Sequence, residues 1–268
     1  MNGGPERNRG NRADRQGREG GDRGEDREAR ANGADRQDRT ALPVLAVVAA
    51  TGEVLARPEL HEGLLAPWER RRLDRTRVPA RRDDVLAARL LVRLCVARFT
   101  GLPLGASGPE QHCAECGRDG HGRPRLAGRP GLGVSMSHAD GLVAAAVGPG
   151  PVGVDVEPAS RRPGPPSVLR RLLPEADLRE AAARPDPGPA LLRLWVRGEA
   201  LFKAGGGTGL GLLEWTDDAR GAVAAVAAEA PVTTFTASPA SRAEPPARGL
   251  AREDGASLPF PPTVGNAP

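Results

Sequence analysis

Tyrosine is absent from the chain, and phenylalanine and tryptophan number only 4 and 3 among 268 residues. So few rings leave little for base stacking. The net charge is also weak, +4 from 38 basic and 34 acidic side chains, which argues against a dedicated nucleic-acid binder. Cysteine is scarce too: 3 residues cannot build a disulfide framework and point to a reducing interior. Long apolar runs are missing. The longest mostly apolar stretch, residues 41–50, contains Pro43 and is too short to cross a bilayer. The N-terminus is polar and lacks the apolar core of a signal peptide, so the reading is cytoplasmic, with no membrane and no nucleic-acid partner. The last scarcity is lysine: 37 of the 38 basic residues are arginine, and the single lysine is Lys203.

What is present is a core made of Ala, Leu and Val, at 39% hydrophobic overall. Residues 1–40 hold 10 Arg and 9 Asp+Glu and almost nothing apolar, the composition of a disordered charged tail. Order is expected from about residue 41, with a buried strand over 43–50 and a short extended return over 54–56. Pro67 and Glu69 mark a helix start, and Asp83 is read as the cap of a helix running to about Phe99. Strands are predicted over 134–138, 142–147 and 152–156, and helices over 172–183 and 189–204, the latter ended by Gly205 to Gly207. Strands at 222–228 and 232–237 follow, and residues 241–268, rich in Pro and Ala, read as a second disordered tail.

Four groups of residues could carry chemistry. In Gly153-Val154-Asp155-Val156-Glu157, strand alternation sends Asp155 and Glu157 to one face and the valines to the other. Adjacent carboxylates repel unless a cation sits between them, and Mg²⁺ takes such oxygen ligands, though the wet face of a half-buried strand gives the same pattern. In the helix 189–204, Glu199 and Lys203 share a face at i and i+4, either to complete a metal set and meet a phosphate or as an ordinary surface pair. Ser137 and His138 end a strand and could hold phosphate oxygens. Arg123, within Gly122-Arg123-Pro124, and Arg72, Arg82 and Arg89 offer guanidinium groups suited to phosphate. Cys113-Ala-Glu-Cys116, with His112 and His121 nearby, has the beginning of a zinc site, but no second CxxC follows, and a loop thiol pair is the simpler reading. The glycines at 205–211 follow a helix and lack the Lys-Ser/Thr of a phosphate-binding loop.

The order of these motifs resembles the 4′-phosphopantetheinyl transferases of the surfactin-synthetase-activating type. The resemblance rests on Gly-Arg-Pro (122–124), Ser-Met-Ser-His (135–138), Gly-Val-Asp-Val-Glu (153–157) and Trp-x-x-x-Glu-Ala-x-x-Lys (195–203) followed by Gly-x-Gly-Leu (207–210). The segment 65–70 and the pair Arg89 and Arg93 add to it. It implies an α/β (α+β) fold of two similar halves, about 41–150 and 151–240, related by pseudo-twofold symmetry. Each half would be a small sheet packed on helices, with the ligand cleft between them. It further implies Mg²⁺ on Asp155, Glu157 and Glu199, and coenzyme A as co-substrate, its phosphates held by Ser137, His138, Arg123 and Arg72. Lys203 would neutralise the pyrophosphate, and Glu199 or a metal-bound water would take the proton from the acceptor serine. The partner would be an acyl or peptidyl carrier protein, the product 3′,5′-ADP, and the protein a monomer. Two departures stand out. Gly198 replaces the lysine that usually precedes the helix glutamate, and the strands after Trp215 do not match the family pattern. They motivate a second reading, a degenerate module that binds coenzyme A or a carrier protein without transfer. A third is a metal-dependent pyrophosphatase using the same carboxylates.

Overall fold

The computed structural model describes residues 42–237, apart from 114, 121, 164–168 and 171–172. The stretches 1–40 and 241–268 lie outside the described residues. Strand β1 (Val44–Ala50) leads into helices α1 (Thr51–Leu55), α2 (Pro67–Asp74) and α3 (Pro79–Thr100). Strands β2 (Leu132–Ala139), β3 (Leu142–Pro149) and β4 (Val152–Pro158) follow, then α4 (Glu175–Ala182) and α5 (Pro187–Ala204). Strands β5 (Gly211–Asp217), β6 (Ala222–Ala228) and β7 (Val232–Thr234) close the fold.

Several local expectations change, among them an unpredicted β5 and a β7 that stops at Thr234 instead of residue 237. Residues 54–56 do not return as a strand. The Glu53 carboxylate accepts the Ala50 N–H at 2.9 Å and caps a helical turn there instead. Helix α3 begins at Pro79, not behind Asp83, because proline suits the first helical position. Its neighbour Asp84 is buried, accepting from Thr51 Oγ1 at 2.5 Å and Gly141 N at 3.2 Å, and so ties the β2–β3 turn to the helix. Helix α5 starts at Pro187, where the Asp186 carboxylate accepts the Gly188 N–H at 3.2 Å.

The strands form two small sheets, ordered β2-β3-β1-β7 and β4-β6-β5. Omitting β7, both halves run strand, helix, strand, strand, and in both the first strand pairs antiparallel with the last. What repeats is topology and pairing order. Strand β7 then crosses back to lie parallel to β1, from Val44 to Ala46.

The layers follow from alternation along the strands. Val44, Ala46 and Val48 of β1 and Ala144 and Ala146 of β3 share one buried cluster with Val152, Val154 and Val156 of β4 and the even-numbered residues 222–228 of β6. The two sheets therefore pack face to face. On the outer face of the first sheet, Val47, Ala145 and Val147 pack on Leu90, Leu91 and Val92 of α3. On the outer face of the second, Val223, Ala225 and Ala227 pack on Leu192, Val196 and Ala200 of α5.

Where α5 lies close to the second sheet the facing residues are small, Gly153 in β4 and Ala225 and Ala227 in β6. A Cβ added at Gly153 would collide with the Ala200 carbonyl, and would sit 2.5 Å from Ala204 N. Gly153→Ala is expected to lift α5 off β4 and to destabilise the fold by about 1–3 kcal/mol or more, read as a lowered midpoint in chemical denaturation. A bidentate ion pair joins the halves elsewhere. Arg220, after β5, donates to Glu53 at 2.7 and 3.0 Å. These bonds, more than any other cause, hold the Glu53 carboxyl pKa below its usual 4.5. Its stabilisation is complete above pH 4.5 and is lost as pH falls through the lower folded value. Glu53→Gln should therefore lower stability at neutral pH and flatten the acid limb of the pH–stability curve.

Candidate active site

The second sheet presents Gly153, Asp155 and Glu157 toward α5, as alternation requires. Strand β2 of the first sheet runs beside β4, and its serines join the two. Ser135 Oγ accepts the Val154 N–H at 3.0 Å, and Ser137 Oγ donates to Asp155 Oδ1 at 2.7 Å. From the last turn of α5, Lys203 Nζ donates to Asp155 Oδ1 at 2.6 Å, to Ser137 Oγ at 3.1 Å and to Val154 O at 3.2 Å. A serine from one half and an aspartate and a lysine from the other thus meet at one point on the seam.

Glu157 and Glu199 flank this point. Glu157 accepts from Arg161 Nη1 at 2.6 Å and from Trp195 Nε1 at 3.3 Å. Burial, followed by repulsion from Asp155, raises its pKa above the usual value. Glu199 is raised by the same two causes in the same order, against the pull of Lys203. Asp155 Oδ2 is buried and has no hydrogen-bond partner. Among the described residues, no three His, Cys, Asp or Glu side chains stand close enough to hold an ion as they are. The donors nevertheless suit a hard divalent cation. Asp155 repels both half-buried glutamates, and its own buried Oδ2 is left open, a situation that Mg²⁺ relieves.

The remaining candidates do not gather at one place. Arg123 lies across a cavity of about 660 Å³, whose walls include Lys203, Ser135, Met136 and Phe202. Arg72 lies elsewhere, donating to Gly120 O at 3.0 Å and lining a second pocket with Trp68, Arg71 and Arg75. Arg82 is paired with Glu62 at 2.8 Å and Arg89 with the buried Glu69 at 3.2 Å, each a partner other than phosphate. His138 follows the opposite parity to Ser137. Its pKa is lowered, first by desolvation and then by Lys203, Arg81 and Arg72, with Asp84 opposing. The imidazole thus senses cations from both halves.

Sequence reading gave three participants no role. Ser135 opens the Ser-Met-Ser-His motif and shares parity with Ser137, but neither shows that it accepts from Val154. Trp195 stands four residues before Glu199, which places it on the same helix face, but the face alone does not reveal Glu157 as its acceptor. Arg161 follows β4 without periodic structure, so nothing marked it.

Residues 151–243 match the model of the 4′-phosphopantetheinyl transferase superfamily. This decides what the segment is similar to. It begins at β4 and includes Asp155, Glu157, Glu199 and Lys203, so the match covers the carboxylates and the lysine. It supports phosphopantetheine transfer in general, without distinguishing the surfactin-synthetase-activating type. No curated protein matches the chain. Among the described residues no helix is long and apolar enough to cross a membrane.

Proposed function

We propose that the protein transfers 4′-phosphopantetheine from coenzyme A to a serine of an acyl or peptidyl carrier protein, with Mg²⁺, as a transferase of the surfactin-synthetase-activating type. The observation that carries this reading is the meeting of Ser137, Asp155 and Lys203 across the seam, within a segment matched by the superfamily. Asp155, Glu157 and Glu199 would hold the metal, which when bound supplies positive charge to the pyrophosphate. Lys203 exchanges part of its bonding to Asp155 for a phosphate oxygen. Ser137 and Arg123 hold further phosphate oxygens, Arg123 from across the cavity. Glu199 is suited to take the proton from the acceptor hydroxyl, because burial and Asp155 raise its basicity. The serine oxygen forms its bond to the β-phosphorus as the bond to 3′,5′-ADP breaks. Such a reaction is mostly positioning and charge neutralisation, which the cluster offers. The pseudo-twofold arrangement of the halves, and action as a cytoplasmic monomer, belong to the same proposal.

The test is incubation with coenzyme A, Mg²⁺ and a panel of apo carrier proteins, read by intact mass. A gain of one phosphopantetheine on a carrier is expected. Binding of coenzyme A with no gain on any carrier would favour the degenerate module, and release of 3′,5′-ADP without a carrier would favour the pyrophosphatase.

A further inference from the structure

The loop between α3 and β2 carries chemistry that transfer does not use. It folds back on itself, with antiparallel bridges between Glu110 and Arg125 and between His112 and Asp119. At its tip the Cys113 N–H donates to Arg118 O at 3.1 Å and the Gly117 N–H to Cys113 O at 2.8 Å, with Gly117 at φ 66°. That turn brings the side chains of Cys113 and Cys116 into hydrogen-bonding contact. The backbone N–H groups of Cys116 and Glu115 are directed at the Cys113 sulfur and lower its pKa. The side chain and then the backbone of Arg118 lower that of Cys116, against the contact with Cys113, which raises it. Cys116 is exposed and Cys113 buried behind it. Cys95 contrasts with both: it lies in the α3 core, and burial pushes its thiol pKa up.

We propose that Cys113 and Cys116 form a reversible oxidation site that closes an intraloop disulfide on reaction with a hydroperoxide. The exposed Cys116 sulfur attacks the terminal peroxide oxygen. The O–O bond breaks, and the other oxygen leaves with the thiol proton as an alcohol, or as water from hydrogen peroxide. Cys116 is left as a sulfenic acid. The Cys113 sulfur then attacks that sulfur, the S–O bond breaks, and water leaves with the second thiol proton. Two thiols give up two electrons and two protons, and the peroxide accepts them.

Bonding the sulfurs at about 2.05 Å draws the turn in from its present contact. The consequence reaches the cavity because the loop is wired into it. Gln111 accepts from Arg89 at 2.7 Å and donates to Gly122 O at 3.0 Å, next to Arg123. Resting on the proposed function, oxidation is expected to weaken coenzyme A binding several-fold.

The full chain should be treated with hydrogen peroxide and analysed by intact mass and peptide mapping. The expected result is a loss of two hydrogens within the peptide holding residues 113–116, reversed by a dithiol reductant. Cys116→Ser should show no such loss, and Cys113→Ser should stop at a sulfenic acid trapped by dimedone. Two thiols that stay alkylatable, passage to sulfinic acid without a disulfide, or stoichiometric zinc shielding both sulfurs would each overturn the site. Calorimetric titration with coenzyme A then reads the consequence. Equal affinity of the reduced and oxidised forms would overturn the coupling. Failure of both forms to bind would count against the proposed function, while the mass result still decides the disulfide.

Discussion

Glu69→Ala should remove about 3–5 kcal/mol of stability, enough to unfold most of a marginal domain at moderate temperature. Glu69 is 1% exposed, and its carboxylate meets two cations from α3 that are themselves buried, Arg89 and Arg93. It also accepts the Ala66 N–H at 2.7 Å, capping α2. Burial, more than anything else, pushes the Arg89 pKa down to about 10, so that guanidinium pays heavily for leaving water even with its partner present. Its ring contact with Trp68 at 4.6 Å and its bond to Gln111 offset only part of that. Arg93 already has one buried nitrogen, Nε, without a partner. Removing the carboxylate leaves two uncompensated buried charges. Glu69→Gln separates the terms, because it can keep the cap to Ala66 while losing the charge, and it should lose most of the same stability. Urea denaturation measures both. Losses under 1 kcal/mol would show that water reaches the two arginines and that the network contributes little. The residues that carry the N-terminal part of the family resemblance thus have a structural reason: Glu69, Arg89 and Arg93 form one ion network between two helices.

Lys203→Arg should reduce transfer by roughly 10²–10³-fold while thermal stability changes little, on the proposed function. The lysine directs three N–H groups at three acceptors, Ser137 Oγ, Val154 O and Asp155 Oδ1, which suits a tetrahedral ammonium. A guanidinium is planar and wider, and it cannot present three donors to that corner. Its longer reach would also push into the cavity beside Met136 and Phe202. Lys203→Met removes the charge altogether and should lose at least as much. Initial rates measured by intact mass at saturating coenzyme A check both variants. A wild-type rate for Lys203→Arg would reduce the single lysine to an accident of composition.

Much of this arrangement was legible before the fold. Helices α3 and α5 carry long apolar faces, and β2, β3, β4 and β6 are short runs bounded by turns, so local pattern identifies them. Strand β5 escaped because it is a partly exposed edge strand whose extended form comes from pairing with β6. Strand β7 is shorter than predicted, and it exists through pairing with β1, where Val232 meets Val44 from far away in sequence. The same division holds at the site. Strand and helix periods placed Asp155 beside Glu157 and Glu199 beside Lys203. No period could show that Lys203 reaches Asp155, or that Ser137 arrives from the other sheet. The arginines were the least legible. Only geometry separates Arg123, at the cavity, from Arg82 and Arg89, which answer to glutamates.

The most direct measurement compares the wild-type protein and Asp155→Ala side by side with coenzyme A, Mg²⁺ and an apo carrier protein, following carrier mass over time. Asp155 is the hub that Ser137 and Lys203 both address and whose charge Glu157 and Glu199 both feel. The account predicts phosphopantetheine addition by the wild type and none detectable from a folded Asp155→Ala. Equal rates from the two proteins would contradict it.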